Sequence, residues 1–114
     1  MTTLKDLAPM LDAATRPSQE LDVAAFQALF PATRYEEHCP PLTFSIDAAL
    51  ALVERLLPEK NGWLFGLSHV RAKTFRAYVG RGVLPEPVNA PTAPLAILRA
   101  LVAALIAQEK TDEA

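Results

Sequence analysis

Glu36, Glu37, His38 and Cys39 set four side chains able to hold a metal ion or move a proton side by side in the chain. A metal site needs those side chains to converge on one point. Spacings such as CxxC or HxxxH achieve that, whereas consecutive residues diverge. His69 is the other histidine, so no second cluster completes a site. A nucleophile and base, Cys39 with His38 or His69, would also need an oriented base and an oxyanion site. Paired acids for general acid–base work are Glu36 with Glu37 and Glu54 with Glu59, and both pairs read as solvated charges. The glycines, Gly62, Gly66, Gly80 and Gly82, form neither GxxxxGK nor GxGxxG, so no phosphate-cradling loop is expected. No enzyme, metal or cofactor is expected from these residues.

Binding chemistry is better represented. From Arg71 to Arg81 the chain carries Arg71, Lys73, Arg76 and Arg81, with Tyr78 among them and no acid. Cations beside an aromatic ring suit a nucleic-acid strand, through phosphate attraction and base stacking. The plainer reading is the solvated face of a strand, where arginine also discourages edge-to-edge aggregation. A second binding candidate is the alanine row Ala96, Ala100, Ala103 and Ala107. Small residues let helices approach closely, here either the N-terminal helix or a second copy of the chain.

These residues must be positioned by a chain of 114 residues, 51 % of them apolar. That suits one domain, residues 1–114, with a core built without disulfides or metal. Within it, residues 1–16 are a candidate loosely attached helix and 110–114 a candidate frayed tail. A lone cysteine, Cys39, precludes an intramolecular disulfide and favours a cytosolic setting. The start MTTLKDLAPM lacks a basic region followed by a long apolar run, so no signal peptide is expected. The longest apolar stretch, Leu95 to Ala107, contains Arg99 and falls short of the roughly 20 residues of a membrane span. A net charge of −2 gives no global attraction for nucleic acid or anionic lipid.

Capping residues and prolines divide the chain. Leu4 to Ala14 reads as a helix with Pro9 inside it, predicting a kink or a late start. Ser18 is a candidate N-cap, with Glu20 and Asp22 in the first turn where the helix dipole favours acids. Leu21, Ala25, Ala28 and Leu29 form that helix's apolar row, and Pro31 closes it. Residues 31–43 read as a loop, with a short strand near Leu42 to Phe44. Ser45 caps a helix whose apolar stripe is Ile46, Ala49, Leu50, Val53 and Leu57, opposite Asp47, Ala51, Glu54 and Arg55. Pro58 stops it and Asn61-Gly62 turns the chain.

Two strands follow. Trp63, Phe65 and Leu67 share one face of the first; Phe75, Ala77 and Val79 share one face of the second, with Arg76 and Tyr78 opposite. HVRAK joins them as a hairpin. A proline-rich return, RGVLPEPVNAPTAP, leads to Thr92, which caps a last helix with Pro94 in its first turn. That helix is apolar on nearly every side and is expected to be buried on more than one. The fold class is α+β: helices, chiefly 46–57 and 95–109, around a small antiparallel sheet of two or three strands. In this reading Ile46, Leu50, Val53 and Leu57 lie on the sheet that Trp63 begins, and Ser45 to Trp63 is scaffolding, the alternative being an exposed Trp63 that anchors a partner.

Four segments in this order resemble the phage α-β-α sandwich domain family, small proteins of bacteriophages and prophages. They are Glu20-Leu21-Asp22 within RPSQELDVAAFQAL, Ser45 to Val53, Gly62-Trp63, and Ala90 to Ala107, together spanning about residues 17–109. Departures are Leu29-Phe30-Pro31, where the family tends to carry a glycine, and Pro94-Leu95, where it has a small residue. The resemblance implies phage origin and a helix–sheet sandwich. It implies no established activity or catalytic residue. The expected function is a non-catalytic phage accessory or interaction module in the host cytoplasm, with an unknown protein partner or a second copy as candidates. The alternative is weak, sequence-tolerant nucleic-acid binding by the hairpin 69–81.

Overall fold

Three hydroxyl side chains begin three of the helices, as their places before the apolar periods predict. The computed structural model describes residues 4–29, 41–56, 63–71, 74–81 and 87–113. Its elements are α1 (Leu4–Ala13), α2 (Gln19–Leu29), α3 (Ile46–Leu56), β1 (Trp63–Arg71), β2 (Thr74–Arg81), β3 (Val88–Ala90) and α4 (Ala93–Glu113). Ser18 Oγ accepts the N–H of Leu21 at 3.4 Å, Ser45 Oγ that of Ala48 at 3.2 Å, and Thr92 Oγ1 that of Leu95 at 3.3 Å. Each bond satisfies a first-turn donor that has no partner within its helix. Pro9 is accommodated inside α1, which starts at Leu4, so there is no late start.

The sheet has three antiparallel strands in the order β1-β2-β3. Phe65 faces Val79, Leu67 faces Ala77, and Phe75 and Ala77 face Ala90 and Val88 on β3. Side chains alternate across a strand, so these residues share one face, and all of them join the core. On β1, Phe65 and Leu67 pack against the core as expected, while Ser68, His69 and Val70 are all exposed; on β2, Phe75, Ala77 and Val79 pack inward and Arg76 is exposed, as expected. Two local expectations are corrected. Leu42 to Phe44 form a turn rather than a strand. The third strand lies instead at Val88–Ala90, inside the proline-rich return, where three residues suffice to pair with β2. The strands of the hairpin also run further than HVRAK as a connection allows: β1 reaches Arg71 and β2 resumes at Thr74, with a register shift between His69 and Arg71.

Helix α4 is the centre of the molecule. It lies along β2 and β3, while α1 and α3 pack against it. Leu95, Ile97, Leu98, Leu101 and Val102 are at most 1 % exposed, so α4 is enclosed on several sides as its all-round apolar sequence predicts. Fully burying one such side chain contributes about 1.5–3 kcal/mol. Helix α1 adds Leu7 and Leu11, both completely buried.

Helix α3 corrects the predicted stripe. Its buried residues are Ala49, Leu52 and Val53, with Leu50 and Leu56 half-buried. Ile46, the first residue of α3, is 41 % exposed. The polar side, Asp47, Ala51, Glu54 and Arg55, is exposed as expected. Because α3 packs on α4, Leu50 and Val53 reach the core through that helix rather than by lying on the sheet. Leu57 lies outside the described residues. The architecture is α+β, with helices packed against a small three-stranded antiparallel sheet.

Candidate functional site

Because α4 covers one face of the sheet, the register decides what the other face presents. Ser68, Arg76 and Asn89 stand in one row across β1, β2 and β3, and all three are exposed. Arg76 Nε donates to Asn89 Oδ1 at 3.1 Å, which ties the long arginine side chain to the neighbouring strand. Gly66 and Tyr78 form the next row. A Cβ built on Gly66 would collide with Tyr78 Cε1 and Cζ, so the far half of the ring lies over the glycine. The glycine permits this close approach: it gives the tyrosine a backbone surface to lie on, an aromatic ring covering a strand glycine. Tyr78 is half-buried in this position.

The structure brings together two of the five residues predicted for nucleic-acid contact. Arg76 and Tyr78 are two positions apart on β2, hence on one face and about 7 Å from each other along the strand. Arg71 pairs with Thr74 at the end of the hairpin. Arg81 pairs with Trp63 and has the strand parity of Phe75, Ala77 and Val79, so its strand position belongs to the helix side of the sheet. Lys73 lies outside the described residues, as do Glu36, Glu37, His38, Cys39 and Glu59. Of Trp63, Arg71 and Arg81 the structure describes strand positions alone. His69 is also set apart from the open face: it is exposed and stacks on Phe75 across the strand pair, with centroids 4.7 Å apart and 19° between planes. No group of three or more His, Cys, Asp or Glu able to hold a metal ion occurs among the described residues.

The alanine row divides into two pairs. Ala96 and Ala100, 0 % and 3 % exposed, are part of the chain's own core, so of the two uses expected for this row they serve packing within the chain. Ala103 and Ala107 are exposed and line a groove of 360 Å³ between α1, β3 and α4. Ala8, Leu11, Val88, Val102 and Ile106 make its apolar walls, with Asp12 and Arg99 as its charged residues. The expected contact of α4 with the N-terminal helix is thus present.

Two polar arrangements escaped the sequence. Asp22 and Thr43 are 4 % and 0 % exposed and bind each other. Asp22 Oδ1 accepts both the backbone N–H and the hydroxyl of Thr43, each at 2.6 Å. The same hydroxyl oxygen accepts the N–H of Ser18 at 2.9 Å, with the Ser18 carbonyl 3.1 Å away. This closed set fastens the start of α2 to the turn before α3 and consumes its own donors and acceptors, so it is structural. Arg99 does similar work. Its guanidinium donates to the carbonyls of Leu11 at 2.8 Å, Asp12 at 2.9 Å, Ala14 at 2.9 Å and Asn89 at 2.6 Å. Three of those acceptors end α1, where unpaired carbonyls and the helix dipole favour a cation. The signal for Arg99 was present in the sequence: a lone charge within a buried apolar helix must find partners.

Among the described residues, every buried side-chain nitrogen or oxygen has a hydrogen-bond partner. No helix there is long and apolar enough to cross a membrane. Comparison with known proteins finds no matching family model, no matching curated protein and no matching solved structure. The chain is an α+β protein whose three-stranded sheet is covered by a helix on one face and presents exposed polar side chains on the other.

Proposed function

We propose that this protein is a non-catalytic accessory module of a bacteriophage or prophage. It works in the host cytoplasm by binding a partner on the open face of its sheet. The observation that carries this reading is the contrast between the two sheet faces. One packs under α4, where Ala77, Val79 and Ala90 are buried, while the other presents Ser68, Arg76 and Asn89 in an exposed row beside Tyr78. The ordered likeness of residues 17–109 to the phage α-β-α sandwich domains supports the phage assignment. The strong polar interactions elsewhere, at Arg99 and at Asp22 with Thr43, are spent on holding helices in place.

The test is affinity capture from host cells, comparing the parent chain with an Arg76→Glu, Ser68→Arg variant that keeps the fold. A partner retained by the parent and lost by the variant supports the module. Turnover in a broad hydrolase and transferase screen, abolished by changing His38 or Cys39, would overturn the non-catalytic reading.

A further inference from the structure

We infer that the open face takes single-stranded nucleic acid, with Tyr78 as the stacking platform and Arg76 as the phosphate contact. The inference rests on the proposed binding role of that face and names its partner. Three observations carry it. First, the platform is already built. The Tyr78 ring is laid across β1 on Gly66 instead of standing off the sheet, so little side-chain freedom is lost when a base stacks on it. Base–aromatic stacking is tolerant of sequence, because every base offers a π face.

Second, the cation is placed and held. Arg76 sits two residues from Tyr78 on the same face, and its Nε bond to Asn89 fixes the guanidinium above the sheet. Ser68 and Asn89 flank it in the same row and offer neutral hydrogen-bonding groups for sugar or base edges. Third, the charge has one sign. The strand positions of this face, from the Leu64–Gly80 pair through Gly66 and Tyr78 to the row of Ser68, Arg76 and Asn89 and on to Thr74, include no carboxylate. The hairpin sequence from Trp63 to Arg81 holds Arg71, Lys73, Arg76 and Arg81 with no acid, inside a chain whose net charge is −2. An anionic partner is thus drawn to this hairpin and not to the molecule at large. A duplex would offer its phosphates but bury its base faces, which leaves Tyr78 unused; a single strand uses both groups.

The experiment is fluorescence anisotropy with a labelled oligothymidylate and an oligouridylate, each about 12 nucleotides long, at low salt, against a duplex of equal length. Binding of the single strands with a preference over duplex is expected, weakening as salt rises. Tyr78→Ala should weaken it about tenfold, while Tyr78→Phe, which keeps the ring, should leave it near the parent. Arg76→Gln should reduce the salt slope by about one. Circular dichroism of each variant confirms that the fold persists. The inference is overturned by no anisotropy change at high micromolar protein, by duplex bound as well as single strand, or by binding indifferent to Tyr78→Ala and Arg76→Gln. Absence of oligonucleotide binding together with a nuclease-resistant protein captured through this face would overturn the nucleic-acid inference and leave the interaction module standing.

Discussion

The ring of Tyr78 occupies the space in which a side chain at Gly66 would stand, across the β1–β2 pair. A strand glycine is a weak point, having no side chain to pack and much freedom to lose on folding. The tyrosine covers it, and the ring rests on the backbone in return.

The two residues are therefore coupled. Gly66→Ala lifts the ring off the sheet, since the contacts involve the movable end of Tyr78. In the parent this loss offsets the gain of about 0.4–1 kcal/mol from a less flexible chain, and the net change in stability is small. In a Tyr78→Ala background there is no ring to displace, and Gly66→Ala becomes stabilising. Urea unfolding of the four proteins should give a coupling of about 0.5–1 kcal/mol. Strict additivity would show that the ring does not rest on the glycine.

Arg99 makes a larger prediction. Its four carbonyl acceptors join the end of α1 and the edge strand β3 to α4. Arg99→Met keeps much of the aliphatic stem but no donor, and should cost about 2–3 kcal/mol. Arg99→Lys recovers little, because a point ammonium cannot reproduce the planar fork. Hydrogen exchange should show α1 opening sooner than α3 in both variants. Equal protection of the two helices would mean that Leu7 and Leu11 hold α1 without the guanidinium.

What was legible in the sequence was local. Ser18, Ser45 and Thr92 sit one residue or so before apolar periods, and a cap depends only on its own first turn. The alternation of Phe75, Ala77 and Val79 against Arg76 and Tyr78 likewise reads directly from a period of two. Features set by distant partners were not legible. Asp22 reads as a dipole-favoured acid on an exposed first turn, and its burial follows from Thr43, 21 residues away. Leu52 replaces Ile46 in the buried stripe of α3 because α4, not the sheet, is its partner. Tyr78 and Arg76 were both singled out, but the glycine beneath the ring could be recognised only once the register set Gly66 opposite Tyr78.

The Asp22–Thr43 contact discriminates between hydroxyl and methyl. Thr43→Val keeps the shape but leaves a buried carboxylate oxygen and the Ser18 N–H without the hydroxyl, and should cost about 2–3 kcal/mol. Thr43→Ser keeps the hydroxyl and removes one buried methyl group, a loss of about 1 kcal/mol. Thermal melts of both variants give the order. If Val is tolerated better than Ser, packing and not the hydrogen-bond set fastens this turn to α2.

The last helix gives two opposite expectations one turn apart. Ala100 is 3 % exposed inside the core, so Ala100→Glu must either desolvate a carboxylate or open the helix, at about 3 kcal/mol or more. Ala103, on the rim of the groove beside Asp12 and Arg99, is exposed, and a glutamate there can reach water. The monomer fold should tolerate Ala103→Glu to within about 0.5 kcal/mol, the usual range for surface changes. Sedimentation then separates the remaining roles of this face. If the parent self-associates through the groove, Ala103→Glu shifts it toward monomer at unchanged melting temperature, because a buried charge without a partner opposes that contact. If the variant and parent sediment alike, the groove is not the contact between copies, and the close packing permitted by the alanines is used within the chain, at Ala96 and Ala100.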